Sequence, residues 1–590
     1  MNDIVNIIII TIILLITVIS FYYVFKKDVV LPNSNTTDAD TIEYLINGIK
    51  KTFNQILNSN ASDLHLNKSD AIKHENRKIK LKKALRTCNY GDIGAKEYIK
   101  EYIKDLIQLK YDVSEQNIDK IIPFQDVERL SVQDKFEILL YFYKKEYGLH
   151  ALENLIHSYD FEKLQGEVES SYEITKQQIE NAFHNEIGSL HFADKLEIVT
   201  QRIYQHYKGH GAIDEIRDMF IDGVSGGVSG LSNVFYHYTE DLFTSYCQGE
   251  NLNAYDSIWI FFQGKSIHLS FLGFGSQREL ERVCKNIYRY DNPGQLSSAR
   301  GYIANEMKDG SRVIVVRPPL TENWAFFVRK FDSIERIETD ALIIDEGKEI
   351  AIDTIRWLMK GCQVIGITGE QGCGKTTLLK ALVEYINPIY TLRIQELIFE
   401  LNLRKLYPKR NILSFKETST VSGQEALDLQ KKTDGTVTIL GEVATAPVAR
   451  WLVQLSQVAS KFTIFTHHAK TTHSLVMSLR NALLQEGGFN NENVAEEQVA
   501  DTVNFDIHMV KTVEGHRYIE RITEIVPLSE MKKSQNHVFQ AVDIVRFEHD
   551  QYVFKNSLSS RAIQSICYNL SEEEQCEFAQ FCNTNIQRKE

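Results

Sequence analysis

The chain has 590 residues, which predicts several domains, and its 43% hydrophobic content is ample for packed cores. A net charge of −13 with 25% charged residues argues against a dedicated nucleic-acid binder, although a local basic face stays possible. Eight scattered cysteines with no C-x-x-C pair argue against structural zinc and suit a reducing compartment.

In chain order, Ile4 to Phe25 is almost wholly apolar and long enough to span a hydrocarbon core of about 30 Å. Lys26 and Lys27 follow at once, whereas the leader carries only Asp3. This predicts a single-pass transmembrane anchor over 1–26, with the following domains in the cytoplasm. A cleaved signal peptide would want a basic leader and a small-residue cleavage site, and neither is present. Residues 27–71 are rich in Asn, Asp, Ser, Thr and Lys and read as a flexible linker. Over 72–187, stretches such as KEYIKEYIKDLIQLKY place apolar residues three and four apart, the pattern of packed helices.

An α+β domain is expected over 188–338, with a helix at Ala212 to Phe220 and another in QRELERVCKNIYRY. Its strands are SIWIFFQ, SIHLSFLGF, SRVIVVRPP and WAFFVRKF. GVSGGVSG, Gly223 to Gly230, reads as a loop, and not a phosphate loop because no Lys-Ser/Thr follows it. Over 339–528, strands alternate with helices, which predicts a mostly parallel sheet covered on both faces, with RYIERITEIVPL closing the fold. Residues 529–590 read as an extension without chemistry.

The chemistry concentrates in that last domain. GEQGCGKTT fits G-x-x-x-x-G-K-[ST] through Gly369, Gly374, Lys375 and Thr376. An apolar strand precedes it and a helix opening follows, the context the motif needs. Gly369, Glu370, Gln371, Gly372, Cys373, Gly374, Lys375, Thr376 and Thr377 would cradle the phosphates of ATP with backbone N–H groups. Lys375 would reach the β- and γ-phosphates, and Thr376 would hold Mg²⁺. In LRIQELIFELNLR, Glu396 and Glu400 follow a strand-like piece, where a carboxylate could orient the attacking water; a solvated helix face is the plainer alternative for either. GTVTILGEV ends a strand in Glu442, which would act on Mg²⁺ or on the water. FTIFTHHAKT ends a strand in Thr466, His467 and His468, where a histidine could sense the γ-phosphate. Tandem histidines can also be a metal pair, but no third ligand is evident in sequence.

GEQGCGKTT, ILGEV and T-x-H-A at Thr466 to Ala469, in that order, resemble the type II/type IV secretion ATPase superfamily, and most of all its Tad/Flp-type pilus-assembly ATPases. The resemblance implies a RecA-like P-loop domain preceded by an α+β N-terminal domain. It makes Lys375, Glu442, Glu396 and His468 catalytic, with Glu400 as second acidic candidate, and Thr376 and Glu442 the Mg²⁺ ligands. It also matches Arg312 and Arg329 to basic positions ahead of the motor domain, which would stabilise transition-state charge; structural salt bridging is the alternative for both. It implies a homo-hexamer driving a polytopic inner-membrane platform protein, at the cell membrane, in pilus assembly or protein secretion. Departures are Ser460 in place of an earlier histidine, Ala444 in place of an arginine, and Leu397 in place of a second carboxylate. Two other functions compete: a nucleotide-binding membrane scaffold without turnover, and an ABC-type transport ATPase, whose signature VSGQE (Val421 to Glu425) partly imitates.

Overall fold

The computed structural model describes residues 42–59, 68–164, 171–231 except 187 and 189, 253–291, 294–330, 338–528 except 398, 419, 488 and 514, and 538–587. The expected transmembrane anchor lies outside the described residues. Among the described residues no helix is long and apolar enough to cross a membrane. The chain divides into two compact units, 1–332 and 333–590.

The first unit builds a single core from helices and a sheet. Helices Ile42–Asn58, Lys68–Thr87, Ile93–Leu109, Val132–Tyr147 and Phe192–Tyr207 contribute Ile49, Leu81, Ile103, Leu139 and Ile203 to the same cluster as the sheet residues Val224, Ile260 and Val313. The expected division at 187/188 is therefore not a division between cores. The linker expected over 27–71 also needs correction. Ile42–Asn58 is helical because Leu45, Ile46, Ile49 and Phe53 recur at helical spacing and are all buried. Its Glu43, Lys50, Lys51, Asn54 and Gln55 have side chains outside the apolar stripe, and a composition rich in such residues does not reveal that stripe.

The sheet of this unit has seven strands: β1 (Glu173–Ile174), β2 (Gly223–Gly226), β3 (Ile258–Phe262), β4 (Lys265–Leu269), β5 (Tyr302–Glu306), β6 (Arg312–Val316) and β7 (Ala325–Arg329). They lie in the order β1-β4-β3-β2-β7-β6-β5, antiparallel except for β1 with β4. The glycine-rich stretch expected as a loop supplies β2, the central strand. A Cβ on Gly223 would stand 2.3 Å from the Val328 carbonyl oxygen, and one on Gly227 would stand 2.1 Å from that of Trp324. The glycines are there for close strand approach, which a sequence pattern cannot separate from a turn. Likewise the expected helix at Ala212–Phe220 shrinks to Asp214–Asp218 behind a short 3₁₀ turn.

The second unit is a nine-stranded sheet: β8 (Ile365–Gly369), β9 (Leu392–Glu396), β10 (Ile412–Lys416), β11 (Val437–Leu440), β12 (Phe462–His467), β13 (Phe505–Lys511), β14 (Arg517–Pro527), β15 (Phe539–Glu548) and β16 (Gln551–Phe554). Their order is β10-β9-β11-β12-β8-β13-β14-β15-β16. The first six are parallel and the last three join antiparallel. Ile365, Ile367, Ile394, Ile439, Ile464 and Ile507 are fully buried, as expected of strands covered on both faces.

The fold does not close at Leu528. Beyond it, β15 and β16 extend the sheet, and helices Ser560–Tyr568 and Glu572–Gln587 return to helix Lys348–Lys360. Trp357 of that helix lies 5.4 Å from the ring of Phe578 and 6.4 Å from that of Phe581, and Lys360 pairs with Glu574 at 2.7 Å. The segment expected as an extension is thus part of the second core. Phe578→Ala should lower the unit's stability by roughly 3–5 kcal/mol, the usual cost of emptying an aromatic core site. Chemical denaturation followed by tryptophan fluorescence would read this, and an unchanged midpoint would contradict the packing.

Candidate functional site

Parallel strands carry their C-terminal ends to one sheet edge, so four separate pieces of sequence converge there. β8 delivers the phosphate loop, β11 Glu442, β12 His468 and β9 Glu396. β8 lies between β12 and β13, both later in the chain, so the loop opens where strand order reverses, the usual ligand crevice of such sheets.

The loop's shape rests on Gly369, Gly372 and Gly374, at φ 139°, 79° and 103°. A Cβ on Gly369 would lie 2.2 Å from the Met509 carbonyl oxygen on β13. Helix Lys375–Leu382 begins at once, so its first N–H groups point into the loop. The Cys373 side chain is buried inside the loop, and burial pushes its thiol pKa up, away from reactivity.

The Lys375 ammonium donates to the carbonyls of Gly369 (2.9 Å) and Glu370 (2.7 Å) and to Nδ1 of His468 (3.3 Å). With Nδ1 accepting, the neutral ring carries its proton on Nε2, which lies 3.1 Å from Glu442 Oε1. Lys375, His468 and Glu442 thus form a continuous chain from the phosphate loop to a half-exposed carboxylate. His467 turns away. Its Nδ1 donates to the Val443 carbonyl at 2.6 Å and its Nε2 lies 3.1 Å from Ser478 Oγ, so it ties β12 to its neighbours. No group of three or more His, Cys, Asp or Glu able to hold a metal exists among the described residues. Thr376 and Glu442 offer a hydroxyl and a carboxylate, hard oxygen donors that fit Mg²⁺ when phosphates and water complete its shell.

Glu396 ends β9 and is buried. Its Oε1 accepts from the backbone N–H groups of Glu400 (2.9 Å) and Leu401 (2.7 Å), while buried Oε2 has no hydrogen-bond partner among the described residues. Burial pushes its pKa up to about 7. Lys380, on the helix that follows the phosphate loop, is a cationic neighbour of both Glu396 and Glu400. Burial sets Glu396 apart from Glu400, which is partly exposed.

Arg312 and Arg329 belong to the first unit. They stand directly opposite each other on β6 and β7, both exposed. They are not residues of the sheet edge that gathers Lys375, His468, Glu442 and Glu396. VSGQE supplies a helix N-cap: the Ser422 hydroxyl and the Glu425 carboxylate form a capping box for helix Gly423–Gln430. Ser460, at the position of the missing histidine, donates to the Phe462 carbonyl at 2.5 Å and accepts from Thr438 N–H at 3.2 Å.

Five further residues, Thr368, Thr472, Asp506, His508 and Arg517, were not singled out in the sequence. Thr368, immediately before the loop, donates to Asp506 Oδ1 at 2.5 Å and accepts from His508 Nδ1 at 2.8 Å. Thr472 donates to the other Asp506 oxygen at 2.7 Å. Burial pulls the His508 pKa down to about 4, helped by the Arg521 and Lys375 cations. In FDIHMVK, Asp506 and His508 sit two apart on one face of a buried strand, and that polar alternation was the available signal. The last is Arg517, at the start of β14, whose Nε donates to the Gly372 carbonyl at 3.2 Å and clips the loop from outside.

No protein-family model matches this chain, and no curated protein matches it. Solved structures do. The VirB11 ATPase of the Brucella suis type IV secretion system, in complex with sulphate, is 16% identical over 52% of this chain and 89% of its own, with a TM-score of 0.27. The pilus retraction motor PilT with bound ADP is 12% identical over 56% of this chain and 84% of its own, at 0.35. The Legionella pneumophila ATPase DotB is 14% identical over 47% and 75%, at 0.32. Likeness at this level carries no claim about activity.

The Glu396 carboxyl gives a pH signature. Its folded pKa is raised from 4.5 to about 7, so the stability it contributes is fully present below pH 4.5 and is lost as pH rises through 7. Glu396→Gln, which stays neutral, should be the more stable protein at pH 8, by on the order of 3 kcal/mol, and should match the wild type near pH 4.5. Denaturation midpoints of both proteins across pH 5–8 read the difference, and parallel curves would overturn the assignment.

Proposed function

We propose that the second unit is an ATP-hydrolysing enzyme. The observation that carries this reading is the hydrogen-bonded chain from Lys375 through His468 to Glu442 beside a glycine-rich loop and a helix N-terminus. The loop N–H groups would bind the β- and γ-phosphates. Lys375 would exchange its two carbonyl partners for phosphate oxygens, which offer full negative charge. Glu442 would accept a hydrogen bond from the water that attacks the γ-phosphorus as the bridging P–O bond breaks. Because His468 touches both ends, any movement of Lys375 is felt at Glu442. Mg²⁺, held through Thr376 and Glu442, would neutralise the charge developing on the phosphate oxygens.

The finer reading is a motor that powers pilus assembly or protein secretion from the cell membrane. Its support is the order of motifs along the sequence. A homo-hexameric ring, a polytopic membrane partner and roles for Arg312 and Arg329 at the γ-phosphate are parts of the same proposal. A membrane scaffold that binds nucleotide without turnover is its competitor.

The test is ATP turnover by the full chain in detergent. Lys375→Ala should abolish nucleotide binding and turnover. Glu442→Gln should lower kcat by about a hundredfold or more with ATP still bound. His468→Ala should lower kcat by about tenfold or more with little change in KM. Turnover that rises cooperatively with protein concentration supports the ring. Turnover indifferent to Glu442→Gln overturns the assignment, and tight ATP binding with no turnover in the wild type favours the scaffold.

A further inference from the structure

Helix Lys68–Thr87 departs from the rest of this acidic chain: it carries eight Lys and Arg against two Asp and Glu. Its inner face is fixed by Leu81, Ala84 and Leu85, all buried in the first core. At 100° per residue the opposite face is centred on Ile72, Ile79, Lys83 and Arg86, with Lys80 and Lys82 on its flanks. All six are exposed, the two isoleucines at 58% and 57%. Lys82, Lys83 and Arg86 form no ion pair among the described residues, and Lys80 lies 4.7 Å from the ring of Tyr98 on the neighbouring helix. Glu75 is the single acidic residue on this outer face. From Ile72 to Arg86 the face runs about 21 Å.

We propose that this face is a docking surface for an anionic phospholipid bilayer. Charge complementarity selects an anionic partner, since basic side chains close to a membrane gain strongly from acidic headgroups. The two isoleucines on the centre line select lipid over nucleic acid: they can enter the headgroup boundary, whereas a phosphate backbone offers them nothing. The chain also supplies proximity. If the expected anchor at Ile4 to Phe25 spans a bilayer, the sixteen residues from Lys26 to Thr41 would reach at most about 60 Å before the first described helix begins. The surface is separate from the ATP reading and does not depend on turnover. It would hold the first unit against the membrane and fix the face it presents there.

The experiment is lysine acetylation footprinting of the full chain mixed with vesicles of phosphatidylcholine alone, or of phosphatidylcholine and phosphatidylglycerol at seven to three. Modification of Lys80, Lys82 and Lys83 should slow at least fivefold on the anionic vesicles only, and the protection should vanish in high salt. The triple variant Lys82→Glu, Lys83→Glu, Arg86→Glu changes the charge of this face by six units, so at about fivefold per unit it should bind anionic vesicles well over a hundredfold more weakly. The corresponding triple glutamine variant should fall between. ATP turnover measured in the same samples reports the catalytic reading separately. Equal protection on neutral and anionic vesicles overturns the proposal. Protection by duplex DNA but by neither vesicle also overturns it and makes the partner a nucleic acid.

Discussion

The close pass of Gly369 against β13 is the constraint from which the site follows. The chain leaves β8 with a backbone that only glycine adopts easily, 2.2 Å of would-be Cβ clearance from the Met509 carbonyl. That turn keeps the loop tight against the sheet edge and starts helix Lys375–Leu382 immediately above it. Lys375 is thereby set under His468, and His468 beside Glu442. Any side chain at Gly369 would lift the loop and separate the three groups at once, although none of them touches that residue through its own side chain except Lys375.

Beneath the loop lies a polar floor within the sheet. Asp506 accepts hydroxyl hydrogen bonds from Thr368 and Thr472, and its carboxylate lies 3.9 Å from the Arg521 guanidinium. Burial of a carboxylate is costly without such partners. His508 completes the set as a neutral donor to Thr368. The residue just before the loop is therefore held from both sides, while the loop's tip is held separately, by Arg517 at the Gly372 carbonyl.

Much of the site was legible in sequence because its parts are local. A glycine-lysine-threonine run needs only a strand before it and a helix after it. Glu442 and His468 each follow closely on the end of a short, buried strand. Parallel strands align such ends without further information. The floor was not legible, because Asp506 and His508 matter only through Thr368, some 140 residues earlier. The same blindness explains two errors of fold. Gly223 to Gly226 looks like a turn until β7 is placed against it, and Ile42–Asn58 looks like a tether until its four apolar side chains find a core. Composition reports what faces water, and both segments hide their reason for existing on the other side.

The return of the last helices onto helix Lys348–Lys360 has a consequence for biosynthesis. Lys360 and Glu574 are 214 residues apart in sequence yet paired in space. At ribosomal speeds of 5–20 residues per second, that interval is roughly 10–40 seconds. Throughout it, the apolar face carrying Trp357 has been made and its covering partners have not. The second unit therefore spends that time incomplete, and the first unit, already synthesised in full, is the part that can fold ahead of it.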